Sequence, residues 1–329
     1  MHGQFVWYEL TTPDVDAARK FYASIAGWGT QQFDQDYTMW TIGGVPFAGI
    51  FRLGPEQRQQ GIPPNWMAYV ETNNVDETAR LATSLGGTVV YGPKDIPGTG
   101  RFAVLHDPQG AMFGIYKSNG PSQSWDGTPV VGHFAWHELM TTDSAKAFDF
   151  YRKLFGWEKM REMDMGGGNS YTIYGKGKMF GGMFNQTPDM AGMPPSWLCY
   201  IQVNDVNNAV AVATQGGGRL HRGPMEIEGG VIAVLGDPHG AGFAVHHASA
   251  PLAAPKPAPK KASKNVSRPK ARPVKAKVKA KASAKAKATA KGRTAVKKKA
   301  APRKKSSSKK RAVAKKAGRK RTTASRRRR

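Results

Sequence analysis

The sequence has 329 residues, and its 50 Lys and Arg against 23 Asp and Glu give a formal net charge of +27. The charge is unevenly placed, because residues 251–329 hold 33 basic residues and no acidic one, which leaves 17 basic against 23 acidic residues in the first 250. All eight Trp precede Pro251. The first 250 residues therefore suit about two folded domains. Residues 251–329 cannot bury enough apolar surface to fold, which predicts a disordered tail.

Cysteine content and hydropathy exclude two further classes. The single cysteine, Cys199, rules out an internal disulfide framework and a Cys-rich zinc site. No apolar run approaches the roughly 20 residues that a membrane-spanning helix needs, and the N-terminus lacks the pattern of a secretory signal. We therefore expect a protein of a reducing compartment, without a membrane span.

The predicted elements follow one order, which occurs twice. Residues 5–11 alternate as a strand does, and a helix is expected to follow, with Thr12 as its N-cap, Pro13 at its first position and Gly27 at its end. Further elements of this half are strands at 37–42, 46–52 and 66–71, a helix at 75–85, and strands at 88–90, 102–105 and 111–117.

The second half repeats the motifs of the first half. Asp14, Phe21-Tyr22 and Gly27-Trp28 recur 129 residues later as Asp143, Phe150-Tyr151 and Gly156-Trp157. The other repeats are Pro63-Pro64-Asn65-Trp66 with Pro194-Pro195-Ser196-Trp197, and Asp107-Pro108-Gln109-Gly110 with Asp237-Pro238-His239-Gly240. A period of this length indicates a duplicated domain. We place the first domain at residues 1–118, a Ser/Gly/Pro-rich linker at 119–131, the second domain at 132–248 and the tail at 249–329.

This order of elements, together with the motifs around Tyr22, Trp28 and Asp107, resembles the vicinal oxygen chelate superfamily, which includes glyoxalase I, extradiol dioxygenases and bleomycin-resistance proteins. The resemblance covers about residues 4–118 and 132–247. It implies an α+β fold in which each domain pairs two βαβββ modules, so that the sheets curl into a cup that holds a small ligand. It leaves open whether the chain is a monomer or a homodimer.

Metal-dependent members of that superfamily carry ligands on the first and last strands of their modules. Carried across, three of these positions fall on Trp7, on Trp66 or Met67, and on Gly114 in the first copy, and their counterparts in the second are Trp136, Trp197 or Leu198, and Ala244. The fourth falls somewhere in residues 49–52 and 182–185. Because the side chains at the aligned positions cannot ligate a divalent cation, we expect no metal or other cofactor, with a divalent metal bound elsewhere as the alternative.

Strand alternation predicts what fills each cup instead. Residues two apart on a strand share a face, so Trp7 should bring Glu9 into the first cup and Trp136 should bring Glu138 into the second. An aromatic wall beside a carboxylate suits a flat or cationic organic ligand. The predicted ligand-binding residues are Trp7, Glu9, Tyr69 and Tyr116 in the first cup, and Trp136, Glu138, Tyr200 and His246 in the second.

Glu138 and His246 allow three interpretations. They could form a catalytic pair in which the carboxylate orients an imidazole that moves a proton. They could serve only to orient a ligand. Glu9 and Glu138 could also be purely structural, holding neighbouring backbone N–H groups.

The basic tail resembles the C-terminal tails of linker histones and of bacterial histone-like proteins. Its density of positive charge predicts binding to a polyanion, above all DNA, driven by counterion release, and without aromatic residues or a folded reading element no sequence readout is expected. The representative contact residues are Lys275, Lys277, Lys279, Lys281, Lys285, Lys287, Arg326, Arg327, Arg328 and Arg329.

The sequence therefore predicts a small-molecule-binding tandem protein tethered to nucleic acid, cytoplasmic and associated with the nucleoid or chromatin. One alternative is an enzyme of the superfamily, a lyase, isomerase or dioxygenase with a residual or non-standard metal site. The other is a histone-like architectural protein.

Overall fold

The computed structural model describes residues 2–59, 61–120 and 130–248, which belong to one compact unit. The predicted tail and most of the predicted linker lie outside these residues. No helix in the described ranges is long and apolar enough to cross a membrane.

The first domain is built on one eight-stranded sheet with the strand order β2-β3-β4-β1-β5-β8-β7-β6. Its central strands β1 and β5 are antiparallel to each other, and each pairs in parallel with the last strand of its own module. The elements are β1 (Phe5–Thr12), α1 (Val15–Ala26), β2 (Gly29–Gln32), β3 (Tyr37–Ile42), β4 (Val45–Arg52), α2 (Pro55–Gln59), β5 (Asn65–Glu71), α3 (Val75–Ser84), β6 (Thr88–Ile96), β7 (Gly100–His106) and β8 (Met112–Ser118).

The second domain repeats this sheet in the order β10-β11-β12-β9-β13-β16-β15-β14. Each sheet uses strands of one half only, so the predicted α+β fold of two tandem domains is confirmed. The elements are β9 (Phe134–Thr141), α4 (Ser144–Phe155), β10 (Glu158–Gly166), β11 (Asn169–Gly175), β12 (Met179–Asn185), a 3-10 turn (Pro188–Met190), β13 (Ser196–Gln202), α5 (Val206–Gln215), β14 (Arg219–Ile227), β15 (Gly230–Gly236) and β16 (Gly242–Ala248).

The start of α1 differs from the prediction. Thr12 is the last residue of β1, and Asp14 rather than Thr12 is the N-cap, its carboxylate accepting the N–H of Ala17 at 3.0 Å. Asp143 caps α4 in the same way. A carboxylate also suits the positive end of the helix dipole. Gly27 ends α1 as predicted, with a left-handed φ of 70°.

Other differences lie at the edges of the sheets. β6 continues to Ile96 rather than ending at residue 90, because the strand accommodates Gly92 and Pro93 at a shift in its register with β7. β2 and α2 are not predicted at all. Both are short, and the residues of β2 are mostly exposed, so neither carries a hydrophobic period.

The two domains share their hydrophobic cores. One core joins β1 and α1 of the first domain to α5, β15 and β16 of the second, and includes the edge-on contact of Phe21 with Phe243. The other joins α3 and β8 to α4 and includes the contact of Phe113 with Phe150. The helices α1, α3, α4 and α5 therefore lie between the two sheets, and neither domain buries its apolar surface alone.

The repeated motif residues hold the domains together through hydrogen bonds that cross the interface. Trp66 donates its indole N–H to the hydroxyl of Tyr22 at 2.8 Å, and Tyr22 donates to Asp237 of the second domain at 3.3 Å. The same chain runs the other way from Trp197 through Tyr151 to Asp107, at 3.1 and 3.0 Å.

Each aspartate in these chains has two tasks. As predicted, Asp107 and Asp237 form turns, each accepting two backbone N–H groups with one carboxylate oxygen. The other oxygen accepts the tyrosine of the opposite domain. The motifs thus build the interface between domains rather than the ligand site.

At the centre of this interface lies a buried imidazole. His137, 2% exposed, stacks on Phe5 at 3.7 Å between ring centroids, and its Nε2 lies 2.7 Å from the hydroxyl of its counterpart Tyr8. Its Nδ1 lies 2.9 Å from the carbonyl oxygen of Phe180. A neutral ring satisfies both contacts, with Nδ1–H donating and Nε2 accepting.

This imidazole should make the stability of the domain pair depend on pH. Burial lowers the pKa of His137 from 6.5 to about 4, although the bond to the Phe180 carbonyl opposes the shift. Between those values the unfolded chain binds a proton that the folded chain does not, so the free energy of unfolding falls as pH falls, by up to about 1.4 kcal/mol per pH unit. Urea unfolding should show that the wild type has a higher free energy of unfolding than His137→Gln near pH 6.5, and that this difference shrinks as the pH falls towards 4. An advantage that stays constant with pH would contradict the assignment.

Candidate functional site

The concave face of each sheet, here called the first cup and the second cup, lies opposite the helices. Along β1, Tyr8 and Leu10 are buried in the core shared with the helices, while Trp7 and Glu9 alternate with them and are only partly buried. The same alternation places Trp136 and Glu138 on the concave face of the second sheet. The faces predicted for these side chains agree with the structure.

In the first cup, one carboxylate gathers three aromatic side chains. Glu9 accepts the hydroxyl of Tyr37 at 3.0 Å on one oxygen and the hydroxyl of Tyr69 at 3.3 Å on the other. Trp7 donates its indole N–H to Tyr37 at 3.0 Å. The result is a chain of hydrogen bonds in which the Trp7 indole donates to the Tyr37 phenol and that phenol donates to the carboxylate of Glu9. The phenol of Tyr69 donates to the same carboxylate.

The second cup repeats this arrangement with shorter bonds. Glu138 accepts Tyr171 at 2.7 Å and Tyr200 at 2.8 Å, and Trp136 donates to Tyr171 at 2.9 Å. The structure thus brings together the predicted Trp, Glu and central Tyr of each cup, and adds Tyr37 and Tyr171. A signal for these two exists in the sequence, since Tyr37-Thr38 recurs as Tyr171-Thr172 in the internal repeat.

Two glycines make room for the added tyrosines. Gly49 pairs with Glu9 across β4 and β1, and Gly182 pairs with Glu138 in the second domain. A Cβ added at Gly49 would overlap the Tyr37 hydroxyl, and one added at Gly182 would overlap the Tyr171 ring. The absence of a side chain there allows each phenol to lie directly over the strand and reach the carboxylate.

Burial dominates the electrostatics of both cups. It raises the pKa of Glu9 and of Glu138, and the bonds from the tyrosines oppose the shift in each case. Nearby Arg222 also lowers the pKa of Glu138, whereas no cation among the described residues contributes to the shift of Glu9. Burial and the adjacent carboxylate both raise the pKa of Tyr171 well above 10, so that phenol remains a hydrogen-bond donor at neutral pH.

Two predicted residues, Tyr116 and His246, occupy equivalent places at the edge of the cups. Tyr116 donates its hydroxyl to the carbonyl of Thr99 at 3.0 Å. Both ring nitrogens of His246 are buried, and neither has a hydrogen-bond partner of good geometry among the described residues. Burial lowers its pKa, as does His247, while the nearby backbone of Gly229 raises it.

The arrangement of Glu138 and His246 does not match a carboxylate that orients an imidazole. The hydrogen bonds of Glu138 go to Tyr171 and Tyr200, and none joins it to His246. The partners of Glu9 and Glu138 are phenols and not backbone N–H groups, which corrects that part of the structural interpretation.

The side chains present do not fit a divalent cation at the floor of either cup. Each floor offers one carboxylate that already accepts two phenols, surrounded by indole and phenol groups. Protein sites for zinc and similar transition metals usually supply three or four imidazole, carboxylate or thiolate donors. Within residues 2–59, 61–120 and 130–248, no three His, Cys, Asp or Glu side chains are grouped to hold a metal ion.

Two further predicted features lie away from the cups. Cys199 is buried, and burial raises the pKa of its thiol to about 12, as expected for an unreactive core residue. The tail residues predicted to contact nucleic acid, at positions 275–287 and 326–329, lie outside the described residues.

Comparison with known proteins identifies the family. Residues 130–245 match the profile described as glyoxalase/bleomycin resistance protein/dioxygenase superfamily, and residues 7–116 match that of a glyoxalase-like domain. The chain is 32% identical over 252 residues to the putative glyoxylase CFP32 of Mycobacterium tuberculosis, covering 73% of this chain and 92% of that protein. This chain belongs to the glyoxalase superfamily.

Two further proteins extend the comparison. The anthracycline biosynthesis protein DnrV of Streptomyces peucetius is 30% identical over 258 residues, covering 74% of this chain and 92% of that protein. A variant of homoprotocatechuate 2,3-dioxygenase from Brevibacterium fuscum shares the fold with a TM-score of 0.56 at 13% identity, covering 78% of this chain and 75% of that one.

The glycine at the cup floor should be sensitive to a single methyl group. Gly182→Ala forces Tyr171 off the strand and off Glu138, so we expect a loss of about 1–3 kcal/mol of stability, typical of overpacking, and a shift of the Trp136 indole N–H resonance. Gly242→Ala is the matched control, because its Cβ would meet only the Leu198 side chain at 3.9 Å. Equal effects of the two substitutions would contradict the network.

Proposed function

We propose that this protein binds a small organic molecule in its cups through aromatic stacking and hydrogen bonding, without a metal at the cup floor. The observation that carries the proposal is the Trp–Tyr–Glu–Tyr network, which occurs in both domains at the floor of the concave face. Within the described residues this network lies on the face of each sheet opposite the helices that form the shared cores, and its carboxylate and indole are partly exposed there.

The chemistry of the network indicates what such a ligand carries. Each carboxylate oxygen of Glu9 and Glu138 accepts one phenol and retains capacity for another donor. The indoles of Trp7 and Trp136 offer a flat apolar surface beside it. The ligand is therefore flat and bears a hydroxyl or amino group that donates to the carboxylate. The names of the relatives, a putative glyoxylase and an anthracycline biosynthesis protein, are in keeping with a small organic ligand.

Catalysis is the second candidate function. It rests on the raised pKa of Glu138, which burial causes, and on the putative glyoxylase among the relatives. A carboxylate of raised pKa is a stronger base than an ordinary one and can exchange a proton with a bound substrate, as a lyase or isomerase requires. His246 would act in such a reaction only through the substrate, because no bond joins it to Glu138.

Binding and metal dependence can be tested together on the purified chain. We expect dialysis against EDTA to leave the melting temperature unchanged and elemental analysis to find no stoichiometric metal. In calorimetry with a panel of hydroxylated aromatic compounds, Glu138→Gln should weaken binding about tenfold, as for a lost hydrogen bond to a charged group, while Glu158→Gln on exposed β10 should not. One equivalent of iron, manganese, nickel or zinc, or a ligand indifferent to Glu138→Gln, would contradict the proposal.

We further propose that residues 249–329 tether these domains to nucleic acid. The support is compositional, with 33 Lys and Arg and no acidic residue from 251 onwards, and such a chain attracts a polyanion through counterion release. The protein would then be cytoplasmic and associated with the nucleoid or chromatin. A purely architectural role is the competing hypothesis. The polar network on the concave faces favours a protein that both binds a small molecule and is tethered to nucleic acid.

If residues 249–329 bind DNA in this way, the affinity should depend strongly on salt concentration and not on the DNA sequence. Affinity for duplex DNA should fall with salt with a log–log slope of about −0.9 per phosphate neutralised, equally for unrelated sequences. Deleting residues 249–329 should abolish binding, since residues 1–250 carry a net negative charge. Retention of DNA by the shortened protein would show that the tether has been assigned to the wrong segment.

A further inference from the structure

The first cup is closed by its own side chains. Trp7, Tyr69 and Tyr116 pack with Met67, Phe102, Val104 and Met112 in one apolar cluster on the concave face. Within it, Val104 and Met67 are each only 8% exposed. Tyr91 extends the cluster towards the rim, its ring 5.8 Å from that of Phe102. The carboxylate of Glu9 thus lies beneath a lid of aromatic and apolar groups.

The second cup has smaller side chains in place of this lid. The pairing of β15 with β16 places Ile232 where the first cup has Phe102, Gly242 where it has Met112, and His246 where it has Tyr116. All three replacements remove side-chain volume. Leu198 and Val234, the counterparts of the buried Met67 and Val104, are partly exposed. The cup that contains Glu138 is therefore the more open of the two.

The rim of the second cup also carries a charge that the first lacks at that position. Arg222 pairs with Val234, just as Tyr91 pairs with Val104, so the guanidinium replaces the outer aromatic ring on the concave face. Arg222 forms no ion pair within the described residues. Its positive charge acts on Glu138, on Tyr200 and on Asp189, whose carboxylate bonds to Thr187.

We propose that the second cup alone is the ligand site, and that its ligand is a flat organic acid whose anionic group binds Arg222 at the rim and whose hydroxyl donates to Glu138 at the floor. The inference rests on the proposed function and adds the choice of cup and the class of ligand. An anionic group paired with a guanidinium forms a charge-assisted bond. The first cup, filled by its own side chains, is structural.

The probes are 4-hydroxybenzoate and its neutral analogue 4-hydroxybenzamide, which differ only in the anionic group. Binding to the full chain is followed through the indole N–H resonances of Trp7 and Trp136, one for each cup. Because all eight Trp precede Pro251, these resonances do not report on benzoate attracted to the basic tail.

We expect 4-hydroxybenzoate to shift the Trp136 resonance and not the Trp7 resonance, and to bind at least about tenfold more tightly than the amide. Arg222→Gln should remove that preference while leaving the affinity for the amide unchanged. Lys94→Gln, which removes a cation from the concave face of the first domain, is the matched control and should change neither. The double variant Ile232→Phe with His246→Tyr restores the side chains of the first cup and should close the second without loss of stability.

The other outcomes separate the class of ligand, the choice of cup and the proposed function. Equal affinity for acid and amide at Trp136, with no effect of Arg222→Gln, overturns the organic-acid inference and leaves the proposed function standing. A shift at Trp7 overturns the choice of cup. No shift at either indole with either probe, at concentrations that saturate ordinary weak sites, overturns the inference and the proposed function together.

Discussion

A carboxylate placed in the middle of a curved sheet constrains everything around it. Glu9 and Glu138 lie on central strands, where burial raises the pKa of each and penalises its charged form. Hydrogen-bond donors must compensate, because a buried polar group without a partner costs free energy. Two phenols meet this need in each cup, and one of them lies over a glycine because only a residue without a Cβ leaves space for its ring. The floor of each cup is then filled by these groups, and they do not fit a coordinated cation.

The opposite face of each sheet forms the hydrophobic cores that the two domains share. The helices α1, α3, α4 and α5 lie between the two sheets, and each core draws residues from both domains. Bonds that cross the interface, such as that of Tyr22 with Asp237, need polar partners at fixed positions in a buried setting, where they specify one arrangement. The residues of the strongest repeated sequence motifs therefore lie at the interface between the domains. The cups are lined by single Trp, Glu and Tyr residues at alternating strand positions, which form no long motif.

The predictable part of the site was the part governed by local periodicity. Alternation along β1 and β9 is enough to place Trp7 with Glu9 and Trp136 with Glu138 on the concave face. It does not reveal which residue of another strand reaches the carboxylate, because that depends on register and on the empty position at Gly49 or Gly182. Tyr37 and Tyr171 were missed for this reason. The hydrogen bond that the second carboxylate oxygen of Asp107 accepts from Tyr151 was not predicted either. Tyr151 belongs to the other domain, and no local sequence pattern connects the two residues.

The cap of α1 shows a related limit. Thr12 and Pro13 have the right types for a helix start, but the β1 ladder extends through Thr12, where it pairs with Arg52, and this moves the cap to Asp14. Pairing across a sheet can override a local preference of about 1 kcal/mol.

The two cups differ more than the hydrogen-bonded chains that join the domains. The chains from Trp66 through Tyr22 and from Trp197 through Tyr151 occur in both copies, so the pairing of the domains places this demand on each half. The concave faces are free of that constraint. The first has large side chains that pack against one another. The second has smaller ones, an imidazole at the position of the Tyr116 phenol and a guanidinium at the rim. A filled cup stabilises its sheet by burying apolar area, and an open cup gives up that stabilisation, so the openness of the second requires a compensating role that its carboxylate and arginine can supply.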